Sequence, residues 1–138
     1  MNRIVLVFGI TIFIFMMDCG CSRPGNPVLS GGGKGGTGKL LCVPQFSTYF
    51  IDTFTAYIKY GTLDAPANGK YDDSGLVQVI GGVPMVVFDS LKTGIYYVYG
   101  IGYHTDPSHY PNLKGGLPIT LPKEESLTQY IPVAPYNP

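Results

Sequence analysis

Alternating apolar and polar residues, broken at short intervals by glycine and proline, constrain this chain more than any other feature. Thr53 to Tyr60 places Phe54, Ala56, Ile58 and Tyr60 on one side and Thr53, Thr55, Tyr57 and Lys59 on the other. That is a period of two in residues that favour a pleated surface. In the longest such stretch, 95–103, Tyr96, Val98, Gly100 and Gly102 share one face, and Tyr97, Tyr99, Ile101 and Tyr103 the other. Shorter runs at 40–46, 76–80, 85–88, 118–121 and 127–133 read as further strands, with 89–94 as a turn. Glycine and proline supply 19 and 12 of the 138 residues, heavy punctuation that disfavours a helical bundle. No eleven-residue window carries a helical period. Turn signals about every 8 to 12 residues predict an all-β sandwich of about seven antiparallel strands in one domain.

Charge narrows the partners. Nine basic and nine acidic side chains cancel, so the surplus of Lys and Arg that a nucleic-acid binder needs is missing. One motif points to a nucleotide: Gly33-Lys34-Gly35-Gly36-Thr37-Gly38-Lys39 fits the opening of a phosphate-binding loop, G-x4-G-K. The next residue is Leu40 rather than the Ser or Thr that holds magnesium. No buried strand precedes the motif, and Cys42-Val43-Pro44 stops any helix after it. The expectation is no nucleotide and no other cofactor.

The N-terminus reads separately. A basic start, Met1 to Arg3, leads into an apolar run over 4–17. Fourteen helical residues rise about 21 Å, short of a hydrocarbon core of about 30 Å, so a cleaved signal helix is expected rather than a span. Gly20-Cys21 directly after this run resembles the lipobox of bacterial lipoproteins. Cys21 fits better than Cys19, because Gly20 is the small residue wanted before the cut and Asp18 is not. The resemblance implies that Cys21 becomes the acylated first residue, with the lipid bilayer as partner, in a bacterial cell envelope and on its outer membrane. Residues 23–38 hold seven glycines, two prolines and almost nothing apolar, the composition of a flexible linker. The expected division is a signal peptide (1–20), a tether (21–38), a sandwich domain (39–134) and a tail (135–138).

A second resemblance rests on Phe88-Asp89-Ser90-Leu91-Lys92-Thr93-Gly94-Ile95-Tyr96-Tyr97-Val98. It is similar to the F-x-x-L-x-x-G-x-Y-x-V motif of prealbumin-like sandwiches, which include transthyretin-like and carboxypeptidase regulatory-like domains. In physical terms Phe88 ends a strand pointing inward, Leu91 plugs the corner, and Gly94 permits a positive φ. Tyr96 packs in the core with its hydroxyl on backbone, as in a tyrosine corner. Together with Thr55–Thr62, Lys70-Tyr71-Asp72-Asp73, 99–103 and 114–119, the chain resembles small lipoproteins of Bacteroidetes-type bacteria that carry such a domain. The resemblance implies a Greek-key prealbumin-like fold and an envelope location, and no activity.

Candidate sites follow. Cys42 sits in the apolar run 40–43, which reads as a small buried hydrophobe rather than a nucleophile. Asp64, Asp72 and Asp73 border one loop, but not at EF-hand spacing. His104 and His109 flank Asp106 in a spacing that is no recognised zinc pattern. Neither set is expected to hold a metal, and no paired carboxylates or Ser-His-Asp arrangement marks a catalytic residue. The tyrosines are the most suggestive group. Tyr97, Tyr99 and Tyr103 on one strand face, with Tyr57 on a neighbour, are either sheet packing or an aromatic platform for a sugar or peptide. The expected function is a non-catalytic envelope lipoprotein module acting in adhesion or scaffolding through protein contacts. The alternative is a carbohydrate- or peptide-binding lipoprotein using the tyrosine face and the 104–116 loop.

Overall fold

A computed structural model describes residues 29–51, 53–103 and 112–138. The lipidation candidate Cys21, the proposed signal and the histidine pair lie outside these residues. Every element among the described residues is a strand: β1 (Lys34–Phe46), β2 (Tyr49–Phe50), β3 (Thr53–Tyr60), β4 (Asp73–Leu76), β5 (Gln78–Ile80), β6 (Val83–Leu91), β7 (Gly94–Tyr103), β8 (Leu113–Leu121), β9 (Ser126–Pro132) and β10 (Ala134–Pro135). They form two five-stranded sheets. The first runs β2-β1-β6-β5, with β9 on the other side of β1, and the second runs β10-β8-β7-β3-β4.

Buried side chains from both sheets make one core. Leu40, Cys42, Val86, Phe88, Leu91 and Ile131 come from the first sheet, and Phe54, Ala56, Ile58, Tyr96, Val98, Ile119 and Leu121 from the second. This is the all-β sandwich that the alternation predicts. Two strand pairs switch sheets and close its sides. β4 pairs with β3 in the second sheet, and after Val77 the chain continues as β5, paired with β6 in the first. On the other side β9 pairs with β1, and after Val133 β10 pairs with β8. Val77 and Val133 donate their amides to Phe54 and Gln45 carbonyls at 2.9 and 3.1 Å, so neither crossing leaves its backbone unpaired.

The structure corrects three expectations. β9 runs parallel to β1, from Lys39↔Ser126 to Gln45↔Pro132, so the ladder is not antiparallel throughout. The run 76–80 is two short strands rather than one. The tether does not extend to residue 38: Lys34–Gly38 belongs to β1, and the segment before it is fixed by backbone bonds. The Gly31 carbonyl accepts from the Ile95 amide, and the Gly33 carbonyl from the Lys92 amide, both at 2.9 Å. Of the Gly-Lys-Gly-Gly-Thr-Gly-Lys motif, Lys34 to Lys39 therefore lie in a bulged start of β1.

The same segment explains the corner motif. Tyr96 is fully buried. Its hydroxyl donates to the Lys92 carbonyl and accepts from the Gly33 amide at 3.0 Å. Burial alone would leave that hydroxyl unsatisfied at a cost of about 1–3 kcal/mol. The glycine at position 94 is required by contact, since a Cβ there would lie 2.6 Å from the Gly32 Cα. Phe88 and Leu91 are buried as expected.

β3 and β7 pair without a break from Thr53↔Tyr103 to Tyr60↔Tyr96. Phe54 reaches across the inner face of β7, so that a Cβ on Gly100 would lie 1.8 Å from its ring. Gly100→Ala is therefore expected to destabilise the fold by about 1–3 kcal/mol through overpacking. Urea unfolding checks this. Combining it with Phe54→Leu should restore part of the loss, and a single variant as stable as wild type would contradict the packing.

Candidate functional site

The unbroken β3–β7 register puts Tyr57 directly opposite Tyr99 on the outer face of the second sheet. Their ring centroids are 6.5 Å apart and the planes 33° from parallel. A third ring joins them from the loop before β4. Tyr71 lies 5.9 Å from Tyr99 at 13°, and 5.6 Å from Tyr57 at 42°. All three are half-buried. They line a recess of about 630 Å³ with Asp72, Asp73 and Ser74 along one edge. That volume falls within the range of small-molecule sites.

The loop brings Tyr71 there through Asp72. The Asp72 amide donates to the Ile58 carbonyl at 2.9 Å. Its carboxylate accepts from the Tyr60 amide at 2.7 Å and from Lys59 Nζ at 2.8 Å. Asp73 is held in the same way, by Lys34 Nζ at 3.0 Å and by the Ser74 amide at 2.8 Å. Lys34 also donates to the Asp89 carbonyl at 3.0 Å, so the N-terminal end of β1 is tied to the rim of the recess.

These contacts set the local electrostatics. Burial pushes the Asp72 carboxyl upward, but Lys59 and the Tyr60 amide outweigh it and leave the group below its ordinary value. Asp73 follows the same balance, with burial opposed by Lys34 and the Ser74 amide. The tyrosine hydroxyls move the other way. Burial, then the neighbouring phenols, raise both Tyr71 and Tyr99. Tyr60, beside Asp73 and Asp72, is pushed up to about 12 by burial first and those carboxylates second. At neutral pH the site therefore presents phenol donors and ionised carboxylates, each carboxylate matched by a lysine.

Of the predicted ligand tyrosines, Tyr57 and Tyr99 form the centre. Tyr97 shares their face one step along β7, opposite Lys59 and Pro118, with its ring over Gly116. Tyr103 stands at the strand end, where it lines an adjoining recess of about 240 Å³ that shares Tyr57 and Ile101 with the first. Of the 104–116 loop, 104–111 lies outside the described residues, and 113–116 is strand in β8. Tyr71, which completes the ring cluster, is not among the residues expected from the sequence, because its loop has no period to place it. Cys42 is buried in the core, and burial pushes its thiol up to about 12, which removes the thiolate that a nucleophile needs. Among the described residues no His, Cys, Asp and Glu cluster could hold a metal ion. Comparison with protein-family models, with curated proteins and with solved structures found no match.

The depressed carboxyls fix a pH dependence. Asp72 and Asp73 stabilise the fold fully above their unfolded value of about 3.9 and lose that contribution as pH falls through their lower folded values. Urea midpoints should therefore drop as pH is lowered below about 4. The drop should be smaller in Asp72→Asn, and equal pH profiles for the two proteins would refute the role given to this carboxylate.

Proposed function

We propose that this chain is a non-catalytic binding module of a bacterial cell envelope, anchored by lipid at Cys21, that takes a carbohydrate on the tyrosine face of its second sheet. The reading rests on one observation: the rings of Tyr57, Tyr71 and Tyr99 cluster within 6.5 Å of one another, Tyr71 and Tyr99 13° from parallel and Tyr57 inclined to both, beside a recess edged with hydrogen-bonding groups. An aromatic ring offers an apolar face to the C–H face of a sugar ring, and the edge groups can meet its hydroxyls. The anchor is supported by the apolar run 4–17 followed by Gly20-Cys21. The prealbumin-like assignment is supported by the corner at Phe88, Leu91, Gly94 and Tyr96, whose packing and hydroxyl bonds match what that motif requires.

A second reading has its own observation. β1 and β6 read as continuous apolar runs, so the outer face of the first sheet carries Leu41, Val43, Met85 and Val87, with Tyr130 of β9 beside them. Val43 and Met85 are buried although they lie outside the main core cluster, whereas Val87 and Tyr130 are exposed. These exposed apolar side chains suit protein contact, and thus a scaffolding or adhesive role.

A glycan array separates the two. The full chain should bind at least one oligosaccharide class, and Tyr99→Ala should weaken that binding about tenfold or more, the equivalent of about 1.4 kcal/mol. Val79→Ala, an exposed change on β5, should bind as wild type. Absence of glycan binding, or binding unaffected by Tyr99→Ala, would leave only the protein-contact reading. The anchor has its own check: a palmitate analogue should label wild type in cells and not Cys21→Ala, and equal labelling would refute the site.

A further inference from the structure

Resting on the carbohydrate reading, we infer that the tyrosine recess selects an uncharged sugar, and that Asp72 serves it as a hydrogen-bond acceptor rather than as a charge. Three observations carry this. First, the Asp72 carboxylate at the recess edge already has a cation, Lys59 at 2.8 Å, and its neighbour Asp73, which turns to the inner side beside Tyr60, is paired with Lys34 at 3.0 Å. A cationic ligand would have to displace a lysine that the fold itself supplies. An anionic ligand would meet the Asp72 carboxylate at the recess edge. Like charges at such distances are costly, and a paired charge attracts little.

Second, the Asp72 carboxylate keeps acceptor capacity. An ionised carboxylate offers about four lone-pair sites. Asp72 spends one on the Lys59 ammonium and one on the Tyr60 amide. Its remaining sites can take the adjacent hydroxyls of a pyranose, which are donors. Hydrogen bonds to a charged acceptor are the stronger kind, and they need no net charge on the ligand.

Third, the remaining edge and floor are neutral and amphipathic. Ser74 supplies a hydroxyl that can donate and accept. Burial holds the phenols of Tyr71 and Tyr99 in their protonated, donor form beyond the ordinary tyrosine range. The rings provide the apolar floor. The site therefore combines fixed acceptors, neutral donors and a stacking surface, with its formal charges cancelled inside the protein.

The test uses the full chain and three soluble probes of similar length: a neutral gluco- or manno-oligosaccharide, an oligogalacturonate and a glucosamine oligomer. Binding is followed by calorimetry and by intrinsic tyrosine fluorescence, which no tryptophan obscures in this sequence. The neutral probe should bind at least about tenfold tighter than either charged one, with little dependence on salt. Lys59→Met, which leaves Asp72 without its ammonium, should raise the relative affinity for the glucosamine oligomer several-fold. Lys59→Gln should do the same, and circular dichroism confirms that either variant is folded. Preference of wild type for a charged probe, or unchanged preference in both folded variants, would overturn the inference while leaving a carbohydrate site in place. Failure of all three probes, with binding of a proline-rich peptide instead, would overturn the carbohydrate reading and this inference with it.

Discussion

Eight consecutive residue pairs between β3 and β7 decide which side chains of the second sheet face the core and which face outward. A slip of one residue would exchange the two sets. The register is held at both ends of the inner face. Phe54 fills the space left open over Gly100 and Gly102, where any Cβ would collide with its ring. At the other end Tyr60 packs edge-on against Tyr96, at 86° and 5.9 Å. Tyr96 in turn binds the N-terminal segment through Gly33. The core of the second sheet, the corner after β6 and the entry of β1 all follow from this pairing.

The outward set is its second product. Tyr57 and Tyr99 meet because the register that buries Ile58 and Val98 leaves their neighbours opposed on the outer face. The loop before β4 then completes the surface. Asp72 accepts from a backbone amide and from a lysine of β3, and this fixes the preceding Tyr71 against the other two rings. Lys34 extends the network to the first strand by holding Asp73 at 3.0 Å. Framework and site thus share residues: a change that loosens the start of β1 also reaches the rim of the recess.

Strands with one wet face were legible in the sequence. Over 53–60 and 95–103 the alternation gave both the strands and the correct inner faces, because only one side of each is buried. The corner motif was legible for the same reason, each of its residues having a local packing task. β1 and β6 were recognisable as apolar but not assignable by face, since apolar residues occupy both sides. Residues 31–38 read as a tether because glycine carries no pattern. Their order comes from Lys92, Ile95 and Tyr96, some sixty residues away. Tyr71 was hidden likewise, since its position depends on Asp72 bonding back to β3. The neighbouring pair Asp72-Asp73 was the one local hint of an anchored loop end.

The central claim is that the outer face of the second sheet, centred on Tyr99, is the ligand surface of this protein. Its most direct measurement is an NMR titration of the full chain, labelled with ¹³C in the tyrosine rings, with the neutral oligosaccharide that it binds. The account predicts that the ring signals of Tyr57, Tyr71 and Tyr99 shift together and saturably, while those of Tyr49 and Tyr130 on the first sheet stay in place. Shifts confined to Tyr130 and Tyr49, or spread equally over both sheets, would contradict it.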